Sequence, residues 1–229
     1  MRSLAILLLT IVLMPSSHAG TRLTSRDDLG TTTTVQIDSG RMRIETEGEP
    51  VYLLTELASR RTLTVSPEEK IAIESTPLAA PSEAPASVER PKVELKPMGD
   101  GPTIAGYPTK RYRLLLAGHA CYDQYLAPRL LAQQDIRDYL QAIAAEAANP
   151  WGALSGSGDD PCTTADSLAA EYHLKLGLPL RTVAPEGTVI SETIHIETGL
   201  TLPAGAFAVP AGFRVMTTQE LMKSQGAPR

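Results

Sequence analysis

RMRIETEGEPVYLLTELASRRTLTVSPEEKIAIES, residues 41–75, decides the fold. In its first five residues Met42 and Ile44 alternate with Arg41, Arg43 and Glu45. That period of two belongs to a strand with one apolar and one charged face. The turn Asp38-Ser39-Gly40 precedes it, and further strand-like runs follow at Val51 to Glu56, Arg61 to Val65 and Lys70 to Ser75, with Ser66-Pro67 between the last two. With Thr31 to Ile37 added, turns recur about every ten residues, which spells an antiparallel meander with one wet face.

Working outward, the N-terminus carries Arg2, the apolar run Leu4 to Met14, Pro15 and then Ser17-His18-Ala19. This is the layout of a secretory signal peptide over residues 1–19, cleaved after Ala19. The run is shorter than the roughly 20 residues of a bilayer span and has no equal downstream, so no transmembrane segment is expected in the mature chain. No Cys follows the cleavage site, so no lipid anchor is expected. The predicted location is periplasmic or secreted, with residues 20–229 as a single domain.

Composition narrows the function classes. The 229 residues are 42% apolar, enough for a proper core, and the net charge is -5 without a basic field. Nucleic acid is therefore excluded as a partner.

Residues 76–102 hold Pro77, Pro81, Pro85, Pro91, Pro97 and Pro102. Proline donates no ladder hydrogen bond, so this segment is predicted as a loop, with a short strand surviving at Val88 to Lys96 and the sheet resuming at Thr109. Gly106-Tyr107-Pro108 then delivers the chain into a strand on which Tyr112, Leu114 and Leu116 share a face. Lys110 lies at the end of that face and Arg111 and Arg113 on the other, a solvated charged surface beside acidic neighbours rather than an anion site. After a turn at Ala117 to Ala120, a strand at Cys121 to Leu126 leads to a helix over 128–148. Pro128 suits its first turn, and Ile136, Tyr139, Leu140, Ile143 and Ala147 recur at helical spacing until Asn149-Pro150.

WGALSGSGDDPCTT, residues 151–164, reads as a flexible loop tip. Asp159 and Asp160 lack the spaced partners of a calcium loop, and Ser155 and Ser157 do not sit in a nucleophile elbow. Strands return at Leu180 to Val183 and Thr188 to Glu197, then comes the pattern Phe207 to Phe213, read as short strands. Thr217 or Thr218 caps a final helix over 219–224.

Two cysteines, Cys121 and Cys162, remain after cleavage, and export to an oxidising compartment favours a disulfide between them. The competing reading is a metal site with His119 and His173, whose spacing matches no zinc clip. No nucleophile with a nearby base, paired carboxylates or metal-ligand triplet has diagnostic spacing, so no enzyme, catalytic residue, metal or cofactor is expected.

The order G-RMRIE, TLTVSPEEK, IAGYPTKRYRL, aromatic strand, amphipathic helix, GLPLR, and LP-x3-F-x-VP-x-GF resembles an uncharacterised family of exported bacterial proteins. That family is in turn similar to the LolA/LolB-type periplasmic lipoprotein-sorting carriers. The resemblance implies an α+β fold, a curved antiparallel half-barrel with helices packed on its concave face and a cavity for acyl chains. Seven Tyr, two Phe and one Trp are few for a deep acyl pocket. The expected function is a non-catalytic binding or carrier protein for a lipid or acylated ligand. The candidate lining residues, taken from the inward-reading face of each element, are Met42, Ile44, Leu53, Leu63, Tyr112, Leu114, Leu116, Ile136, Leu140 and Ile143. The alternative is an envelope protein-interaction or scaffolding module with a filled core.

Overall fold

The computed structural model describes residues 20–75, 92–147, 161–203 and 205–226. The expected signal peptide, the proline-rich segment up to Pro91 and residues 148–160, with Ser155, Ser157, Asp159 and Asp160, lie outside them.

The chain is α+β. The meander supplies β2 (Thr32–Asp38), β3 (Arg41–Thr46), β4 (Tyr52–Glu56), β5 (Arg61–Ser66) and β6 (Ile71–Ser75), each antiparallel to the next. Before them runs β1 (Gly20–Asp27), a strand the sequence reading did not pick out, because GTRLTSRD carries a single large apolar residue, Leu23. After them come β7 (Val93–Ile104), β8 (Tyr107–Leu116), β9 (His119–Ala127), β10 (Leu178–Val183), β11 (Val189–Leu200) and β12 (Arg214–Thr217). All twelve join one sheet in the order β12-β6-β5-β4-β3-β2-β1-β11-β10-β9-β8-β7.

Three expectations are corrected. β7 occupies the last part of the predicted proline-rich loop, including Pro97 and Pro102. An edge strand accommodates them because the missing N–H groups cost no ladder bond on its free side, and the ladder breaks step between Pro97 and Gly99 and between Asp100 and Thr103. The sheet is also mixed rather than wholly antiparallel, since β12 runs parallel to β6. The chain leaves β11 and crosses to the far edge through residues 201–213, and such a crossover delivers a parallel strand. Phe207 to Phe213 therefore form no strand; this segment lies over the sheet, with Val209 and Phe213 packed on Tyr52, Leu54, Leu63, Val65 and Ala72.

At the β12 edge the chain turns directly into a helix. Thr217 and Glu220 form a capping box: the Glu220 N–H donates to Thr217 Oγ1 at 3.2 Å, and the Thr217 N–H donates to Glu220 Oε2 at 2.7 Å.

Three of the helices pack on one face of the sheet. A 3-10 turn (Pro128–Ala132) leads into α1 (Gln134–Ala147), which lays Ile136 and Leu140 against Leu23 of β1 and Ile37 of β2. Burying each such side chain contributes about 1.5–3 kcal/mol. α2 (Pro161–Leu168) and α3 (Ala170–Leu176) follow, then α4 (Thr218–Gly226) at the C-terminus. α2 begins inside the segment expected to be a loop tip. Ala165, Leu168, Ala169, His173 and Leu176 recur at helical spacing there, but the Ala residues make a weak apolar stripe. A disulfide joins Cys121 of β9 to Cys162 of α2, with the Cα atoms 5.2 Å apart.

Candidate functional site

Between α1 on one side and α2 and α3 on the other, the sheet is left open as a cleft of about 260 Å³. Its floor comes from Leu23 and Ser25 of β1, Val35 of β2, Leu178 to Leu180 of β10 and Thr193 of β11. Tyr139, Leu140 and Ile143 form the α1 wall, and Asp166, Ser167 and His173 the opposite one.

The polar wall is tied to the floor by a chain of side chains. Gln124 of β9 is fully buried; its amide donates to Asp166 Oδ1 at 2.5 Å, and its Oε1 lies 2.9 Å from His173 Nε2. Because the Gln124 amide is spent on Asp166, its oxygen is left as the acceptor, which assigns the proton of neutral His173 to Nε2. Burial holds the His173 imidazole below its ordinary range, against the pull of the Asp166 carboxylate. Burial likewise raises the Tyr139 hydroxyl, and Asp166 adds to it. Gln124 and Asp166 were not picked from the sequence, and His173 only in the rejected metal reading, since the three come from β9, α2 and α3 and meet only through the packing.

This sets a pH dependence. The folded state depresses the pKa of His173 below 6.5, so the unfolded chain takes up the proton first and stability falls as pH drops below about 6.5. We expect the urea midpoint to fall between pH 7 and pH 5.5, and His173→Gln to flatten that fall. A fall unchanged in the variant would place the titrating group elsewhere. Asp123, whose carboxyl the Arg113 and Arg111 guanidiniums hold below its ordinary value of 3.8, acts only in more acid solution.

The ten residues expected to line a pocket divide among several places. Leu140 and Ile143 line the cleft, Ile143 at its lip and 36% exposed. Ile136 is wholly buried under α1, and Met42 packs at the margin of the same cluster. Leu114, Leu116 and the half-buried Tyr112 belong to a separate cluster with Leu95, Leu126 and the disulfide, beneath α2. Ile44 and Leu53 face each other across β3 and β4 and are half-buried. Leu63 pairs with Leu54, not Leu53, and so lies on the opposite face under Val209 and Phe213, where it borders a separate space of about 210 Å³ with Met42 and Phe207. Two adjacent leucines in β4 make that parity ambiguous from sequence, and a one-residue slip reverses every side chain. The metal reading of the cysteines is corrected by the disulfide, with His173 bound to Gln124 and His119 exposed at a turn. Among the described residues no group of three or more His, Cys, Asp or Glu is placed to hold a metal ion, and no helix is long and apolar enough to cross a membrane.

On the sheet's other face Arg111 and Arg113 do converge, on one carboxylate. Arg113 Nε donates to Asp123 Oδ1 at 2.8 Å and its Nη2 to Oδ2 at 3.0 Å, while Arg111 donates to Oδ2 through both Nε and Nη2. Asp123 is 7% exposed and the two guanidiniums 36–38%, so the acid is covered and the cations face solvent. Beside them the Arg111 and Arg181 guanidiniums lie 5.9 and 5.7 Å from the Tyr125 ring centre, and Arg181 pairs with Glu192 at 2.7 Å.

No family model and no curated protein matches the sequence. Among solved structures the chain is similar to MucB, at 12% identity and a TM-score of 0.39 over 87% of this chain and 60% of that one. MucB in complex with MucA(peri) is 14% identical, with a TM-score of 0.40 over 88% of this chain and 57% of that one. The MucA/MucB complex of Pseudomonas aeruginosa gives 14% and 0.40 over 88% and 58%. The chain spans about three fifths of the length of those structures.

Proposed function

We propose that the protein is a non-catalytic interaction module of the bacterial envelope, acting in the periplasm after loss of residues 1–19. In this reading the twelve strands curl toward α1 as a half-barrel, in keeping with the tendency of twisted open sheets beyond roughly ten strands to curl. The observation that carries the reading is the filling of the space where a carried lipid would sit. Leu114, Ile136 and Leu140 are at most 1% exposed, Ile136 and Leu140 in the core beneath α1 and Leu114 in the separate core beneath α2. The cleft of about 260 Å³ falls below the roughly 300–1,000 Å³ of sites that enclose a small molecule, and one wall carries Asp166 and His173. A second space, of about 690 Å³ between α1 and the turn at Leu57 to Arg60, lies within that range and is bordered by Arg60, Asp138 and Gln141 as well as Leu57 and three alanines. The smaller cleft accepts one or two side chains of a partner rather than an acyl chain.

Two measurements on mature protein purified without detergent test this. Native mass spectrometry with organic extraction is expected to return the bare polypeptide mass. Photo-crosslinking in the periplasm from Ile143, at the cleft lip, is expected to give a discrete protein adduct. A stoichiometric lipid mass, lost in a folded Leu140→Asp variant, would establish the carrier instead.

A further inference from the structure

We infer that the sheet face opposite the helices, centred on Arg111, Arg113, Arg181 and Tyr125, binds an acidic, extended segment of a partner protein, an inference that rests on the interaction-module reading above.

The register assembles the surface. One row across the strands reads Lys96 on β7, Arg113 on β8, Asp123 on β9 and Val183 on β10. The next reads Gly99, Arg111, Tyr125, Arg181, Glu192 on β11 and Arg26 on β1. With Glu94 and the Arg22–Glu197 pair, six cations meet four carboxylates on this face of a chain whose net charge is -5. The carboxylates do not offset the cations equally toward solvent. Asp123 lies beneath the two guanidiniums that it holds, and both Nη1 groups remain free of it. Arg26 and Lys96 are exposed and make no ion pair among the described residues.

Held guanidiniums of this kind suit carboxylates. Their planar forks accept bidentate partners, and side chains already fixed by Asp123, Glu192 and the Tyr125 ring lose less freedom on binding. Arg111 and Arg113 are alternate residues of one strand, about 6.8 Å apart at the backbone, and Asp123 draws their guanidiniums together. An extended partner laid along β8 thus meets both with neighbouring acidic side chains. An anionic bilayer fits less well, because it would face the negative remainder of the molecule as well as this patch.

The probes are fluorescein-labelled twelve-residue peptides of Ser-Glu and Ser-Lys repeats and vesicles of phosphatidylglycerol, each titrated against the mature chain at low and high salt. The Ser-Glu peptide is expected to bind and the Ser-Lys peptide not. Arg26→Glu/Lys96→Glu, at exposed positions outside the ion pairs, should weaken binding about tenfold and reduce its salt dependence. The triple variant Arg111→Gln/Arg113→Gln/Asp123→Asn removes the cations together with their buried acid and should abolish binding, with circular dichroism verifying the fold. Equal binding of both peptides, binding to vesicles alone, or an unaltered affinity in both variants overturns the inference. Periplasmic crosslinking from Ile143 separates the two readings: an adduct that persists in both variants leaves the interaction module standing and this surface wrong, whereas no adduct in the parent protein removes the module itself.

Discussion

Gly177→Ala should be the most damaging single-methyl substitution in the protein, lowering stability by about 3–5 kcal/mol. Gly177 closes α3, donating its N–H to the His173 carbonyl at 3.0 Å, and opens β10. Its φ of 129° and ψ of 169° fall in a region that residues with a side chain rarely enter. A Cβ there would lie 2.5 Å from the Ala127 carbonyl carbon, 2.7 Å from its oxygen and 2.7 Å from Pro128 N. All three are backbone atoms at the junction of β9 and the 3-10 turn, so no side chain can swing aside. The comparison is Gly187→Ala, where φ is 99° and nothing lies within 4 Å of the added carbon. That variant carries the backbone strain alone, about 1–2 kcal/mol. Thermal unfolding followed by circular dichroism should show Gly177→Ala melting about 10 °C or more below the parent, and well below Gly187→Ala. Equal losses in the two variants would mean that the close approach of β10 to Ala127 is absent.

Removing the Cys121–Cys162 bond is the second large effect, worth about 4 kcal/mol from the chain entropy of the closed loop. The two residues are 41 apart in sequence, and the loop between them contains all of α1. Cys121 is 2% exposed among Leu114, Leu126 and Ala169, so the bond also fastens α2 to the sheet at a buried point. In urea, the double variant Cys121→Ser/Cys162→Ser should unfold at a clearly lower midpoint than the oxidised parent, and the parent in reductant should move toward the variant. Coincident curves with and without reductant would show that the bond contributes nothing.

Much of the architecture could be read from the residues, and the failures have physical causes. The β2 to β6 meander was legible because its turns recur about every ten residues, although Leu53-Leu54 left the face of β4 and β5 ambiguous. β7 was legible only as far as Lys96, because Pro97 and Pro102 look like breakers until the strand is known to lie at an edge. α2 and α3 were missed because Ala165 and Ala169 bury completely while adding little apolar signal. The cleft was half legible: Leu140 and Ile143 follow from the helix period, but the Asp166, Gln124 and His173 chain depends on three elements that only tertiary packing unites. The meeting of Arg111 and Arg113 was hidden for another reason. Reading one strand shows which side chains share a face, but the carboxylate that gathers them comes from β9, across a hairpin at Ala117-Gly118.

The two ends of the sheet have a consequence for how the protein behaves at high concentration. An open sheet ordinarily leaves outermost amides and carbonyls able to recruit a strand from another molecule. Here one border is interrupted twice by proline and stepped pairing, and the other is four residues long and closes into the Thr217–Glu220 box. Neither border offers a straight run for a newcomer to zip along. In a crowded compartment rich in partly folded chains, such a sheet resists strand exchange and fibril seeding, and its contacts with other proteins are left to side chains on its faces.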